Sequence, residues 1–450
     1  MPPEATLPVL PRPTLGPPPA PRVPRPARWT MANGLRVVAA PRHGVPQVVL
    51  RLVLPAGSVA EPRAFPGTAS LVGHLLTEGT ESTSADELHA RLDLLGAGVQ
   101  PSVGHDFTEL EMVLLSETLA EGVALLAEIV TRPVFPPDQT ERIRAESLDA
   151  LVARLDEPAN VADDRALLEA FGAHPYGLPP FGTPAGIRTV PREALAAFHA
   201  AHYRPAGALV VAAGDFDPGE LREALERGFA AWSGAAEPVA YPPISARPAN
   251  AGRRVAHPWP DAEQSEIRVI GLGMSRRDPD WIRAGVANFL LGGSTITGRL
   301  GANLREDKGW TYGVRSAFSA GVQPSGWLVE TAVDGEATAD AVAETMREMR
   351  RLMDEPVGET ELRRVKDALM LSLPRLFETP TGVAGRLSTL EAYDLPRDWW
   401  ERYPAAVEAV TAEDVRRIAR RHFDPDGVVR VVVGEQPGGR GQGTGDSKRR

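Results

Sequence analysis

Residues 67–80 read Gly67-Thr-Ala-Ser-Leu-Val-Gly-His-Leu-Leu-Thr-Glu-Gly-Thr80. A helix that holds a catalytic zinc ion in the H-x-x-E-H pattern places two His at i and i+4 on one face. A Glu between them activates the metal-bound water. In this segment the first ligand position is Ser70, the base position is Gly73, and only His74 remains. Gly73 also weakens a helix by about 1 kcal/mol relative to Ala. The frame of a metal-binding helix is present and the chemistry is missing.

Outward from this segment the chain repeats itself. Gln47-Val-Val-Leu-Arg-Leu-Val-Leu aligns with Gln264-Ser-Glu-Ile-Arg-Val-Ile-Gly at an offset of 217. Asp149-Ala150-Leu151 recurs as Asp367-Ala368-Leu369 at 218. His202-Tyr203-Arg204-Pro205 recurs as His422-Phe423-Asp424-Pro425, and Gly214-Asp215 as Gly434-Glu435, both at 220. Four markers in order at nearly one offset point to a tandem duplication. The expected organisation is a Pro-rich, extended or disordered arm over 1–27, a first half over 28–235 and a Pro-containing linker over 236–260. A second half over 261–435 and a Gly-rich polar tail over 436–450 complete it. Apolar content and β-branching predict strands at 35–40, 48–54 and 208–213, and helical spacing predicts helices at 85–95, 119–130, 140–155 and 193–202. Regular βαβ crossovers are missing, so the fold class read from the pattern is α+β. Each half is expected to be an antiparallel sheet with helices packed on it.

Composition bounds the function. The chain has 450 residues, 43% hydrophobic and 24% charged, with a net charge of −10 and no Cys. That balance argues against a nucleic-acid binder, which needs Lys/Arg stripes to neutralise phosphates. No apolar run is long enough to span a bilayer, so no membrane partner is expected. Zero Cys removes disulfides and thiolate chemistry. The first 26 residues hold eleven Pro and no apolar signal core, so a cytoplasmic location is expected.

The 67–80 segment resembles the pitrilysin/insulinase (inverzincin) family of zinc peptidases, in which it reads roughly G-x-A-H-x-x-E-H-x-x-x-x-G-T. Gly67, Ala69, His74, Gly79 and Thr80 fall in register. The resemblance covers about 28–435 and is to the shorter, two-half bacterial type. It implies two homologous halves about a pseudo-two-fold axis enclosing a peptide-binding chamber. It also implies a third ligand, a Glu about 76 residues after the second His; that count lands on Ala150. Ser70, Gly73, His74 and Ala150 therefore form a degenerate zinc site, and a catalytic zinc needs three protein ligands. His89, His105, Asp106 and Glu146 lie nearby in sequence, but nothing in their spacing makes a tetrahedral set. No metal is expected on this chain, and His74 reads as a retained helix residue.

The second half keeps more of the family pattern. Residues 290–314, Leu290-Leu-Gly-Gly-Ser-Thr-Ile-Thr-Gly-Arg-Leu-Gly-Ala-Asn-Leu-Arg-Glu-Asp-Lys-Gly-Trp-Thr-Tyr-Gly-Val314, resemble L-G-G…S-R-L…R-E-x-x-G-x-x-Y. Arg305 and Tyr312 fall on the Arg/Tyr pair that the family sets beside the scissile bond. A guanidinium and a phenol O–H both donate to a carbonyl oxygen and stabilise a developing oxyanion. The bland alternative is an Arg at a helix end paired with Glu306 or Asp307 and a Tyr half-buried in the next strand. Gly292-Gly293-Ser294-Thr295 lacks the phosphate-loop pattern. The segment also lacks the longer glycine-rich insertion with which mitochondrial processing members guide presequences. His174-Pro-Tyr-Gly177 with Gly182-Thr183 matches another family motif and reads as a fixed turn. Arg351, Arg363, Arg364, Arg416, Arg417, Arg420 and Arg421 read as solvated helix faces.

The resemblance then implies a non-catalytic subunit of a heterodimeric zinc metallopeptidase. Such a subunit binds extended peptide and supplies Arg305 and Tyr312 to a zinc-bearing homologous partner. Two alternatives stand beside it: an independent metallopeptidase with a rearranged zinc site, and a structural or peptide-binding protein without proteolytic role, as the core subunits of respiratory complex III resemble. Precursor-peptide processing and general peptide turnover are both compatible with the residues.

Overall fold

The computed structural model describes residue 16 and residues 23–434; the Pro-rich arm, for the most part, and the 436–450 tail lie outside the described residues. The first sheet contains β1 (Ala27–Thr30), β2 (Arg36–Pro41), β3 (Gln47–Leu54), β4 (Gly98–Val103), β5 (Thr108–Leu115) and β6 (Leu209–Gly214), in the order β1-β2-β6-β3-β5-β4. The second contains β7 (Arg254–Pro258), β8 (Gln264–Leu272), β9 (Val314–Phe318), β10 (Gly326–Asp334) and β11 (Val429–Gly434), in the order β7-β11-β8-β10-β9. Dropping the extra edge strand β1, the two orders are the same. The repeat read in the sequence is a repeat of topology.

The sheets are not wholly antiparallel. β2 pairs with β6, and β7 with β11, in parallel. The last strand of each half slots between β2 and β3 in the first and between β7 and β8 in the second, with most of the half acting as the crossover. The stretch expected as linker also does more than join. Its end forms β7, which pairs from Arg254↔Arg430 to Pro258↔Gly434, so the second half begins ahead of residue 261. An edge strand of Arg-Val-Ala-His-Pro has little apolar signal, and an edge position tolerates its terminal Pro. The predicted helices form as Ala85–Leu94, Leu119–Thr131, Pro137–Leu155 and Arg192–His202. Ser84 starts the first of them: its hydroxyl accepts from Glu87 N–H at 3.4 Å while Glu87 Oε2 accepts from Ser84 N–H at 3.0 Å.

Period-2 alternation sorts each sheet into two buried faces. In the first half Val37, Ala39, Leu50, Leu52, Val210 and Ala212 face that half's own helices. Val38, Ala40, Val49, Leu209, Val211 and Ala213 face the other way, against Val383, Ala384, Leu387 and Leu390 of the second-half helix Pro380–Ala392. The second half returns the arrangement. Ile270, Val429, Val431 and Val433 are covered by Val161, Ala162, Ala166, Ala170 and Phe171 of the first-half helix Pro158–Phe171. Each half thus lends one helix to close the sheet of the other. Burying an apolar side chain is worth roughly 1.5–3 kcal/mol. A handful on each side matches the whole net stability of a domain. No helix among the described residues is long and apolar enough to cross a membrane.

Residues 23–253 and 254–434, produced separately, are each expected to expose one apolar sheet face and to aggregate. Produced together they are expected to recover a 1:1 complex that co-elutes on size exclusion. Two separately soluble, folded monomers would contradict the exchange.

Candidate functional site

The helix Thr68–Leu75 carries the degenerate motif, and its frame residues all have packing roles. Gly67, at its start, has φ +106°, a conformation that costs glycine nothing. Gly182, at φ +88°, crosses it so closely that a Cβ on Gly182 would lie 2.3 Å from Gly67 Cα. This crossing accounts for the Gly182-Thr183 motif, with the Thr183 hydroxyl accepting from Gly186 N–H at 3.1 Å to start the next helix. The carboxylate of Glu61 accepts from Gly67 N–H at 2.9 Å and Ala69 N–H at 2.7 Å, satisfying donors the helix start would leave orphaned. Burial pushes Glu61 up to about 7 against these two hydrogen bonds.

Beyond the helix, Gly79 has φ +130° and Thr80 anchors the turn. Buried Glu128 Oε1 accepts from the hydroxyls of Thr80 at 2.7 Å, Ser82 at 3.0 Å and Thr83 at 2.6 Å, while Arg91 donates to Oε2 at 3.0 Å. Desolvation would raise Glu128, but the hydrogen bonds from Thr83, Thr80, Arg91 and Ser82 outweigh it and hold the carboxyl at about 2. Of the retained family positions, Gly67, Gly79 and Thr80 are thus explained by backbone geometry and this network.

The metal positions have no such support. Ser70 is buried in the helix packing. An added Cβ on Gly73 would meet Val103 Cγ2 at 3.3 Å and Pro101 Cβ at 3.4 Å, so β4 presses on the place of the missing base. His74 lies at the surface with its ring partly desolvated, which lowers its pKa against a hydrogen bond to the Ser70 backbone. Ala150 is exposed on the helix Pro137–Leu155, which packs against the motif helix. The nearby candidates are committed elsewhere. Glu146 pairs with Arg142 at 2.7 Å, and His89 lies 3.7 Å from buried Glu78, which also pairs with Arg142. His105 Nε2 is 2.9 Å from Leu178 O. Asp106 accepts from Tyr176 O–H at 2.6 Å and from Val322 N–H of the other half at 2.8 Å. Among the described residues no group of three or more His, Asp or Glu is placed to hold a metal ion. The residues present do not fit a zinc ion.

The His174-Pro-Tyr-Gly177 motif is the turn expected of it. His174 Nδ1 accepts from Tyr176 N–H at 3.1 Å, and a Cβ on Gly177 would lie 2.5 Å from Gly172 O. Through Tyr176 and Asp106 the motif also ties the two halves together.

In the second half the chain leaves the helix Trp281–Leu291, crosses a tight loop, and enters a π-helical turn, Gly301–Asp307, that carries Arg305. Wide turns of this kind recur at functional sites. A Cβ on Gly301 would sit 1.9 Å from Thr295 O, so the glycine is obligatory. The turn is pinned by Asn303 Nδ2, which donates to Glu344 and Glu348 at 2.8 Å each. Arg299 holds Glu361 with two hydrogen bonds, at 2.8 and 2.9 Å. Arg305 Nη1 donates to Glu306 at 2.6 Å, as the bland alternative expected. Tyr312 is not half-buried in a strand: it stands 92% exposed ahead of β9. It lines an open cavity of about 440 Å³ with Thr295, Arg315 and Glu330. That cavity is walled by second-half residues alone, so Ser70, Gly73, His74 and Ala150 take no part in it. Sequence reasoning overlooked Glu61, Glu128 and the Asp106–Tyr176 tie. Glu61 meets its partners six and eight residues on, across an irregular turn, while Glu128 and Asp106 meet theirs from distant segments; only the hydroxyls of Thr80, Ser82 and Thr83 hinted at an acceptor.

The insulinase (peptidase family M16) model matches residues 36–183, and the peptidase M16 inactive-domain model matches residues 189–369. An uncharacterised zinc protease of Mycobacterium tuberculosis is 27% identical over 399 residues, spanning 88% of this chain and 90% of that protein. The crystal structure of a peptidase M16 inactive domain from Pseudomonas fluorescens superposes with a TM-score of 0.85 at 24% identity, covering 92% of this chain and 98% of that one. A protease from Helicobacter pylori superposes with a TM-score of 0.84 at 18% identity, covering 92% and 100%.

Two outcomes are expected. The purified chain, loaded with zinc and then dialysed, should retain roughly one-tenth of an equivalent or less by elemental analysis, because three protein ligands are required. Glu128→Gln should cost about 2–4 kcal/mol in denaturant unfolding at neutral pH. Glu128's folded pKa lies below its unfolded value, so its contribution is full above about 4.5 and is lost as pH falls toward about 2. The variant should lack that slope.

Proposed function

The chain belongs to the insulinase-type peptidase family M16, and on that premise we propose that it is a non-catalytic subunit that lends Arg305 and Tyr312 to a zinc-bearing homologue. The observation that carries this reading is the contrast between the halves. The metal positions Ser70, Gly73 and Ala150 hold no ligand, while the π-helical turn bearing Arg305 is pinned at Asn303 and, just ahead of it, at Arg299, and Tyr312 stands exposed at the surface. An exposed Tyr contributes almost nothing to packing, so its place is better accounted for by what it meets from outside.

In such a complex a zinc ion held by the partner would supply the polarised water. This chain's part is positional and electrostatic. Arg305 has five N–H donors and spends one on Glu306, leaving others for a peptide carbonyl oxygen. The Tyr312 O–H is a second donor to the same class of acceptor. Two donors aimed at a developing oxyanion are typically worth a few kcal/mol each. Extended peptide is the substrate class, captured in part by strand addition at a sheet edge such as β9.

A second reading, a structural or peptide-binding protein without proteolytic role, draws support from the Arg305–Glu306 pair. The two separate by assay. Reconstituted with an H-x-x-E-H homologue, the complex should cleave unfolded peptides. Arg305→Ala and Tyr312→Phe should each lower kcat by roughly 10²–10³-fold. Their unfolding free energy should stay within about 0.5 kcal/mol of the parent for exposed Tyr312 and within about 1 kcal/mol for half-buried Arg305, whose ion pair is with an exposed Glu306. Undiminished cleavage with both replaced would leave the second reading standing.

A further inference from the structure

A cavity of about 500 Å³ opens where the two halves meet. The C-terminal ends of β2 and β6, residues 40–42 and 213–214, form one side of it. Pro374, Phe377, Pro380 and Val383 of the second half form the other. Arg42 reaches across and donates to the Phe377 carbonyl oxygen. Arg42 and Glu378 are the only ionisable side chains on the wall, which is otherwise proline, aliphatic side chain and backbone.

The N-terminal segment leads to this cavity. Arg28 Nε donates to Glu391 at 2.6 Å, near the C-terminal end of the lent helix Pro380–Ala392. Five residues earlier, Val23 packs into the same interface and lines the cavity with Val383, near the start of that helix. Five extended residues span at most about 17 Å, and the helix rises about 12 Å from Val383 to Glu391. Followed toward the N-terminus, the chain therefore runs along the lent helix toward Pro380, and Pro24 and Val23 bring it onto the cavity wall. The residues that come next in this direction are Pro17-Pro-Pro-Ala-Pro-Arg22. A sequence of that kind favours the polyproline II form, which covers about 19 Å in six residues and docks in aromatic-lined grooves at little entropic cost. Its one charge, Arg22, has a complement on the wall: Glu378 is exposed and makes no ion pair among the described residues.

We propose that Pro17–Arg22 of the same chain dock in this cavity, with Arg22 paired to Glu378, as a strap that fastens the start of the first half to the helix lent by the second. Prolines on both sides suit the contact, since rigid surfaces meet without losing rotamer freedom. The strap acts across the junction that the lent helices and the Asp106 tie already close. The cavity shares no residue with the one beside Tyr312, so the strap stands or falls independently of the role proposed for Arg305 and Tyr312.

The test uses the full chain, which has no Cys of its own to take up a label. Nitroxides placed through Pro18→Cys and through Glu223→Cys, an exposed helix position, report the place of the arm by pulsed EPR distance measurement. A narrow distance distribution is expected, unaltered by a large excess of unlabelled chain. Glu378→Arg, an exposed substitution, should lower the ratio of docked to free arm about fivefold. Pro17→Gly, Pro19→Gly and Pro21→Gly together should lower it roughly tenfold or more, with a thermal melt to verify that each variant is folded. A broad distribution in the folded parent would overturn the proposal, as would a narrow one indifferent to both sets of substitutions. A narrow peak lost on dilution with unlabelled chain would put the arm in the cavity of a second copy and overturn the assignment to the same chain.

Discussion

The exchange of one helix between the halves is the constraint under which everything else is arranged. β6 and β11 are buried on both faces, and one face of each is closed by a helix from the opposite half. Neither sheet is complete without the other. The small side chains Ala162, Ala166 and Ala170 recur at four-residue intervals and let one borrowed helix lie close on its sheet. The tie from Asp106 to Tyr176 and to Val322 N–H adds a polar lock at the same junction. The two halves therefore form one body, and surfaces such as the Tyr312 cavity are held in fixed relation to the motif helix.

Within that body, residue type has followed physical duty. Gly67 and Gly182 cannot carry side chains because their backbones touch, and Thr80 is one of several donors to a buried carboxylate. These positions keep the family pattern without any metal to serve. Ser70, Gly73 and Ala150, the positions the resemblance assigns to ligands and base, carry no side chain that binds a metal ion. β4 now occupies the room beside Gly73. A degenerate active site can thus keep an intact scaffold, because the scaffold is needed for folding and the ligands are not.

Much of this was legible in the chain itself. Strands such as 48–54 carry dense β-branched and apolar content, and four ordered markers betray the duplication. What escaped was whatever depends on distant partners. β7 escaped because an edge strand needs only alternate half-burial, and the parallel pairing within each half because strand order is not written in local pattern. The lent helices look like any amphipathic helix until their sheet is known. Of the candidate site, the residue types at Ser70, Gly73 and Ala150 were legible in the chain, and their reading as ligand and base positions came from the family resemblance. The full exposure of Tyr312 was not, since a Tyr just ahead of a strand reads equally well as half-buried. Glu61 was invisible for the same reason: a carboxylate acquires meaning only from the enclosure around it.

The parallel pairing of β2 with β6 and of β7 with β11 has a mechanical consequence. In each half the chain enters through β2 or β7 and leaves through β6 or β11, and these lie side by side pointing the same way. Tension applied between the entry and exit of a half would load that hydrogen-bonded ladder lengthwise, so all its bonds must yield together. An unfolding machine pulling on β11 from its C-terminal end would have to shear it from both β7 and β8 before any helix is released. The molecule resists being drawn out as a thread from that end.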